Sequence, residues 1–131
     1  MGDVLVDTSA WITALRGTDP AVRQCVDRLL ENDRILFCGV VAMELLRGMR
    51  PPERRELLPL FEALSFVELD RADWRSAGEL LNTLRSEGRE IPATDALIAA
   101  LCLRHGAALF SLDKHFDRIP ELKRFAADDS G

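Results

Sequence analysis

Asp7, Glu44, Asp95 and Asp113 are the residues whose types and positions point most directly to chemistry. Asp7 follows the apolar run Val4-Leu5-Val6, and Asp113 lies just past a second run, Ala107 to Phe110. Both runs read as short buried strands. In a parallel sheet their carboxyl ends face the same rim, so these two acids share it. Asp95 falls in the first turn of an apolar helix, and Glu44 interrupts the stretch from Val40 to Leu46. A carboxylate in such a stretch is costly to bury unless it is paired or binds a cation. Carboxylates converging on one rim repel one another and raise one another's pKa. A divalent cation removes that conflict, and an oxygen-only donor set suits Mg²⁺ or Mn²⁺ rather than zinc. Such centres serve phosphoryl chemistry. The ion activates water and shields the attacked phosphodiester, and a second ion about 3.5–4 Å away can stabilise the leaving oxygen.

Each acid taken alone has a plainer reading. Alone, Asp7 reads as a turn residue and Asp113 as a loop acid. Asp95 can simply complement the positive end of its helix. Glu44 can pair with Arg47 at i+3, the one local cation, since i+4 is Gly48 and both Val40 and Val41 precede it. The set is more informative than its members.

The elements that must position these acids follow from short-range patterns. Thr8 or Ser9 caps a helix that runs to Arg16 and stops at Gly17. Asp19-Pro20 is an N-cap with proline at the first helical position, and Val22, Cys25, Val26, Leu29 and Leu30 form one apolar face behind it. Ile35 to Cys38 is a second strand, and Gly39 opens a helix. That helix is apolar nearly all round from Val40 to Arg47, which predicts that it is mostly buried. Pro51-Pro52 starts another helix toward Leu64, disturbed at Pro59. Phe66 to Leu69 is a third strand candidate. Asp70 caps a long helix carrying Ala77, Leu80, Leu81 and Leu84, ended by Gly88. Thr94 to His105 is a helix stopped at Gly106, and Ala107 to Phe110 is the fourth strand. A turn at Asp113 to Phe116 leads to a weak final strand near Leu122 to Phe125. Short strands alternating with helices predict an α/β fold, a three-layer α/β/α sandwich with a mostly parallel four- to five-stranded sheet. Ligands of such sheets bind beyond the carboxyl ends of the strands.

The chain has 131 residues, 47% of them hydrophobic, enough for one ordinary core. Residues 1–127 are expected to form a single domain and 128–131 a disordered tail. Charged residues make up 30% and the net charge is −5, which argues against a generally basic nucleic-acid coat and leaves room for a local basic groove. Three cysteines without a CxxC spacing argue against a disulfide framework or a zinc site. Cys25 and Cys102 read as small core hydrophobes. The first residues lack the basic region of a signal peptide, and no apolar run approaches the ~18 residues of a membrane span. A reduced cytoplasmic protein is the expectation.

Four segments carry a resemblance. Asp7-Thr8-Ser9-Ala10-Trp11-Ile12, Glu44-Leu45-Leu46-Arg47-Gly48, Asp95-Ala96-Leu97-Ile98-Ala99-Ala100 and Leu109-Phe110-Ser111-Leu112-Asp113-Lys114-His115-Phe116 occur in order over nearly the whole chain. Together they resemble the PIN-domain ribonucleases, and among these the VapC toxins of bacterial toxin–antitoxin pairs. The resemblance implies catalytic roles for Asp7, Glu44, Asp95 and Asp113. Asp7, Asp95 and Asp113 would ligate the metal, with Glu44 acting directly or through water. Thr8 or Ser9 would orient Asp7 or a metal-bound water. Ser111 and Asp117 would be supporting residues, Asp117 being equally readable as a capping or surface acid. The implied cofactor is Mg²⁺, with Mn²⁺ as substitute, and the implied activity is endonucleolytic cleavage of RNA. A homodimer, a cognate VapB-type antitoxin and a higher hetero-oligomer with it are also implied. Two features depart from the pattern. Cys38 and Val41 stand near the start of the Glu44 helix, where the family often has hydroxyls, and Ser111 stands where threonine is common.

Arg47, Arg50, Arg54 and Arg55 form the densest basic cluster, with Lys114, Arg16 and Arg89 as further RNA-binding candidates. Their plainer reading is a solvated face paired with Glu53 and Glu56. His105 reads as a helix end and His115 as an exposed turn residue without a partner. Trp11, Arg50-Pro51-Pro52 and the helix from Leu57 to Leu64 read either as core or as a groove for a second copy or an antitoxin helix. Three rival readings fit the residues less well. A phosphatase with a nucleophilic aspartate wants a second acid two residues after Asp7, where Ser9 stands. A receiver domain wants a phosphorylatable Asp after a middle strand, which Phe66 to Leu69 does not supply. An inactive PIN-like binding module is disfavoured by the presence of all four acids.

Overall fold

The computed structural model describes residues 2–127; the tail expected at 128–131 lies outside the described residues. The elements in order are β1 (Val4–Val6), α1 (Thr8–Arg16), α2 (Pro20–Glu31), β2 (Ile35–Cys38), α3 (Gly39–Gly48), α4 (Pro51–Glu62), β3 (Ser65–Val67), α5 (Arg71–Ser86), α6 (Ala93–His105) and β4 (Ala108–Phe110), followed by a 3-10 helix, Lys114–Arg118. The four strands pair in the order β3-β2-β1-β4, all parallel. The central register sets Val4 beside both Ile35 and Ala108. Right-handed crossovers assign α1–α4 to one face and α5–α6 to the other. The packing of α1 on α2 and α3, and of α5 on α6, follows that division. The result is the three-layer α/β/α sandwich expected.

The inner strands β1 and β2 are buried on both faces, whereas β3, at the sheet edge, is largely exposed. Val4, Leu5 and Val6 are all at most 1% exposed, and β2 is buried throughout. Asp19 caps α2 by accepting from the backbone N–H groups of Ala21 and Val22, with Pro20 behind it. Asp70 and Asp73 form a reciprocal capping box at the start of α5. Gly17 and Gly106 end α1 and α6 in the left-handed region, at φ 65° and 63°.

Several expectations are corrected. Asp7, rather than Thr8 or Ser9, takes the N-cap position of α1. Only Val40, Val41 and Leu45 of α3 are buried, and Met43 is 57% exposed, because a single stripe of this helix meets the sheet. α4 continues through Pro59, whose missing N–H lies on the exposed side where water can satisfy the freed carbonyl. β3 ends at Val67, since the carbonyl of Glu68 accepts from Arg104 instead of joining the ladder. The weak fifth strand reduces to one bridge between Leu109 and Arg124. Trp11 is 1% exposed and packs against Phe37 and Phe61, so it belongs to the core. Among the described residues no helix is long and apolar enough to cross a membrane.

Candidate active site

β1 is flanked by β2 on one side and β4 on the other, and the chain winds outward from it in both directions. That makes the carboxyl ends of β1 and β4 the topological switch point, where crevices open in sheets of this kind. Asp7 stands there, 5% exposed, its backbone N–H donating to the carbonyl of Phe110 at 2.9 Å. Its Oδ2 accepts from the hydroxyls of Ser111 (2.7 Å) and Ser9 (3.2 Å). Those hydroxyls also accept: Ser9 from the N–H of Leu112 and Ser111 from the N–H of Asp113, both at 3.0 Å. The loop after β4 is thus laced to the start of α1 through Asp7.

Asp95, in the first turn of α6, is 8% exposed. Burial above all, then the charges of Asp7 and Asp113, push its carboxyl up to about 6, against the lowering effect of a bond to His115. Asp113 is the N-cap of the 3-10 helix and accepts from the backbone N–H of His115 at 2.9 Å. Nδ1 of His115 lies 3.2 Å from Asp95 Oδ2 and 3.0 Å from Asp113 Oδ1. One donor atom from each of Asp95, Asp113 and His115 falls within 4.8 Å of the others.

Glu44 is half-buried on α3, and its Oε1 accepts from the Thr8 hydroxyl at 3.0 Å. Thr8 therefore holds Glu44, while Ser9 holds Asp7. Cys38, at the end of β2, feels the charges of both Asp7 and Glu44, although burial is the main cause that raises its thiol pKa. Asp117 points elsewhere: it accepts from Nη1 of Arg124 at 2.6 Å and is largely exposed. Nη2 of Arg124 donates to the Ser111 carbonyl at 2.9 Å, and the guanidinium lies over the Phe116 ring.

Arg47, Arg50, Arg54, Arg55 and Lys114 are all exposed, Arg50 with its Nε 3.9 Å from Glu53. Arg16 shares a small cavity with Glu44, Leu45 and Met49, between α1, α3 and α4. Arg89 lies apart, in a hollow with Arg118 and Thr83. The sequence reading missed two residues. His115 is a partner of two acids rather than a lone turn residue, and the Asp113-x-His115 spacing was the available signal. Arg124 braces Ser111 from 13 residues away, and no local pattern marks it.

The residues fit a hard divalent ion. Crowded carboxylates, one with a raised pKa, meet at a pre-formed rim, and oxygen donors of this kind suit Mg²⁺ or Mn²⁺. Residues 4–122 match the PIN domain family. Ribonuclease VapC11 of Mycobacterium tuberculosis is 35% identical over 129 residues, covering 95% of this chain and 96% of that protein. The solved VapBC-1 from nontypeable Haemophilus influenzae superposes with a TM-score of 0.78 at 26% identity, covering 95% of this chain and 98% of that one. DNA-bound VapBC from Salmonella typhimurium has a TM-score of 0.81 at 20% identity, covering 97% and 99%, which supports the fold.

Proposed function

The chain belongs to the PIN-domain family, and we propose that it is a VapC-type toxin of a toxin–antitoxin pair, a metal-dependent endoribonuclease working in the cytoplasm. The observation that carries this reading is the convergence of Asp7, Asp95 and Asp113 at the switch point, with Glu44 beside them. Asp7, Asp95 and Asp113 would hold Mg²⁺, or Mn²⁺ in its place, with Glu44 acting directly or through water. When bound, the ion supplies charge neutralisation at the attacked phosphodiester and activation of the attacking water.

The chain's own groups do the rest. Ser9 and Ser111 fix the orientation of the Asp7 carboxylate through Oδ2, which leaves its second oxygen for the ion. Thr8 fixes Glu44 in the same way. Arg47, Arg54, Arg55 and Lys114 would grip flanking phosphates from the exposed faces around the site, and Arg50 extends that face. Residues 1–127 act as one domain and pair with a second copy. A VapB-type antitoxin would dock an amphipathic helix in the groove of about 420 Å³ that combines Leu15, Val26, Leu57 and Leu60 with the charged Arg23, Asp27, Glu53 and Glu56. Relatives solved as VapBC complexes support such a partner.

The test is cleavage of cellular RNA by the antitoxin-free protein with Mg²⁺ or Mn²⁺, with EDTA as the blank. Cutting that requires both the ion and Asp95, shown by loss in Asp95→Asn, supports the reading. Cutting that survives EDTA or that substitution refutes it.

A further inference from the structure

We propose that His115 is a nitrogen ligand of the divalent ion, which makes this a mixed carboxylate–imidazole centre that favours Mn²⁺ over Mg²⁺. The proposal rests on the metal-dependent reading above and deepens it. His115 follows Asp113 by two residues, at the start of the 3-10 helix. Its backbone N–H donates to Asp113 Oδ1, and this tight turn returns the ring to the rim. Nδ1 then lies 3.0 Å from Asp113 Oδ1 and 3.2 Å from Asp95 Oδ2. Neighbouring donor atoms around a six-coordinate ion with bonds of about 2.1–2.2 Å are separated by about 3.0–3.1 Å. Both measured spacings are hydrogen-bond distances and are also close to that edge length, so an ion that displaces the shared proton would find the imidazole where an adjacent ligand stands.

Asp7 contributes differently. Its Oδ2 is committed to Ser9 and Ser111, which leaves one oxygen for the rim. A nitrogen donor therefore changes the character of the donor set. Carboxylates alone suit Mg²⁺ and Mn²⁺ alike, whereas an imidazole favours the transition ion.

Pulsed electron paramagnetic resonance on the full chain loaded with Mn²⁺ tests this directly. The wild-type spectrum is expected to show coupling to a directly bonded nitrogen. His115→Gln should lose that coupling, bind Mn²⁺ roughly 10–100-fold more weakly and lose less affinity for Mg²⁺. Isotopic labelling of histidine nitrogen in the unmutated chain gives the same answer should the variant fail to fold. It is diagnostic because the only other histidine, His105, ends α6, far from its Asp95 end. Mn²⁺ binding that needs Asp95 but shows no histidine nitrogen would overturn the role of His115 and leave the metal-dependent reading intact. A wild-type chain that binds no Mn²⁺ would overturn both.

Discussion

Asp95→Asn should remove the activity and yet make the protein more stable at neutral pH. Asp95 is 8% exposed, and burial, with the charges of Asp7 and Asp113, raises its carboxyl from 3.8 to about 6. A carboxyl whose pKa is higher folded than unfolded destabilises the fold once it ionises. The penalty is absent below about pH 4, grows between pH 4 and 6, and is constant above that. At 1.36 kcal/mol per pH unit it reaches about 3 kcal/mol at pH 7.5, an upper bound because water reaches the rim. Asparagine stands in for the protonated acid at all pH values. A gain of about 2 kcal/mol at pH 7.5 is therefore expected, or roughly 6–10 °C in Tm for a chain of this size. Thermal unfolding of both proteins in EDTA, from pH 4 to 8, measures it. The curves should meet near pH 4 and separate as pH rises. A variant less stable than wild type at pH 7.5, or a difference independent of pH, would refute the reasoning. Adding Mg²⁺ should narrow or reverse the gap, since an ion that binds only the folded wild type stabilises it by mass action.

Ser111→Ala deletes the 2.7 Å bond to Asp7 and the acceptor for the Asp113 N–H, and should cost roughly 10–100-fold in metal affinity, read by calorimetry, with about 1 kcal/mol of stability. Arg124→Gln should weaken cleavage in the same direction, because it frees the Ser111 carbonyl; unchanged kcat/KM would show that the brace is dispensable. Arg104→Met leaves Asp73, 1% exposed, without its main partner and should lower the midpoint of denaturant unfolding, while cleavage per folded molecule stays unchanged. The Arg104 bonds lower the Asp73 pKa, so that pair stabilises above the ordinary carboxylate pKa and fades as the pH falls below it. Neutralising Arg47, Arg54 or Arg55 should lower the salt dependence of RNA binding by about one phosphate contact each, and an unchanged slope would place that arginine off the RNA path.

Much of this protein could be read from short-range patterns. The Asp19-Pro20 start of α2, the glycine ends of α1 and α6 and the apolar strands are legible because caps and periodicity act over a few residues. The shared rim of Asp7 and Asp113 followed once alternating strands and helices implied a parallel sheet. The division of labour within the site did not follow. Ser111 reaches Asp7 across 104 positions, and His115 meets Asp95 across 20. Thr8 and Ser9 are neighbours in sequence, yet they serve different acids because they leave the first turn of α1 in different directions. Asp117 reads in sequence as a companion of Asp113, but the chain returning through Arg124 draws it away. The exposure of Met43 on an apolar helix has the same origin. Residue type limits which contacts are possible, but packing of distant segments decides which of them form. At this rim that choice rests on hydrogen bonds and charges whose partners only the folded sheet brings together.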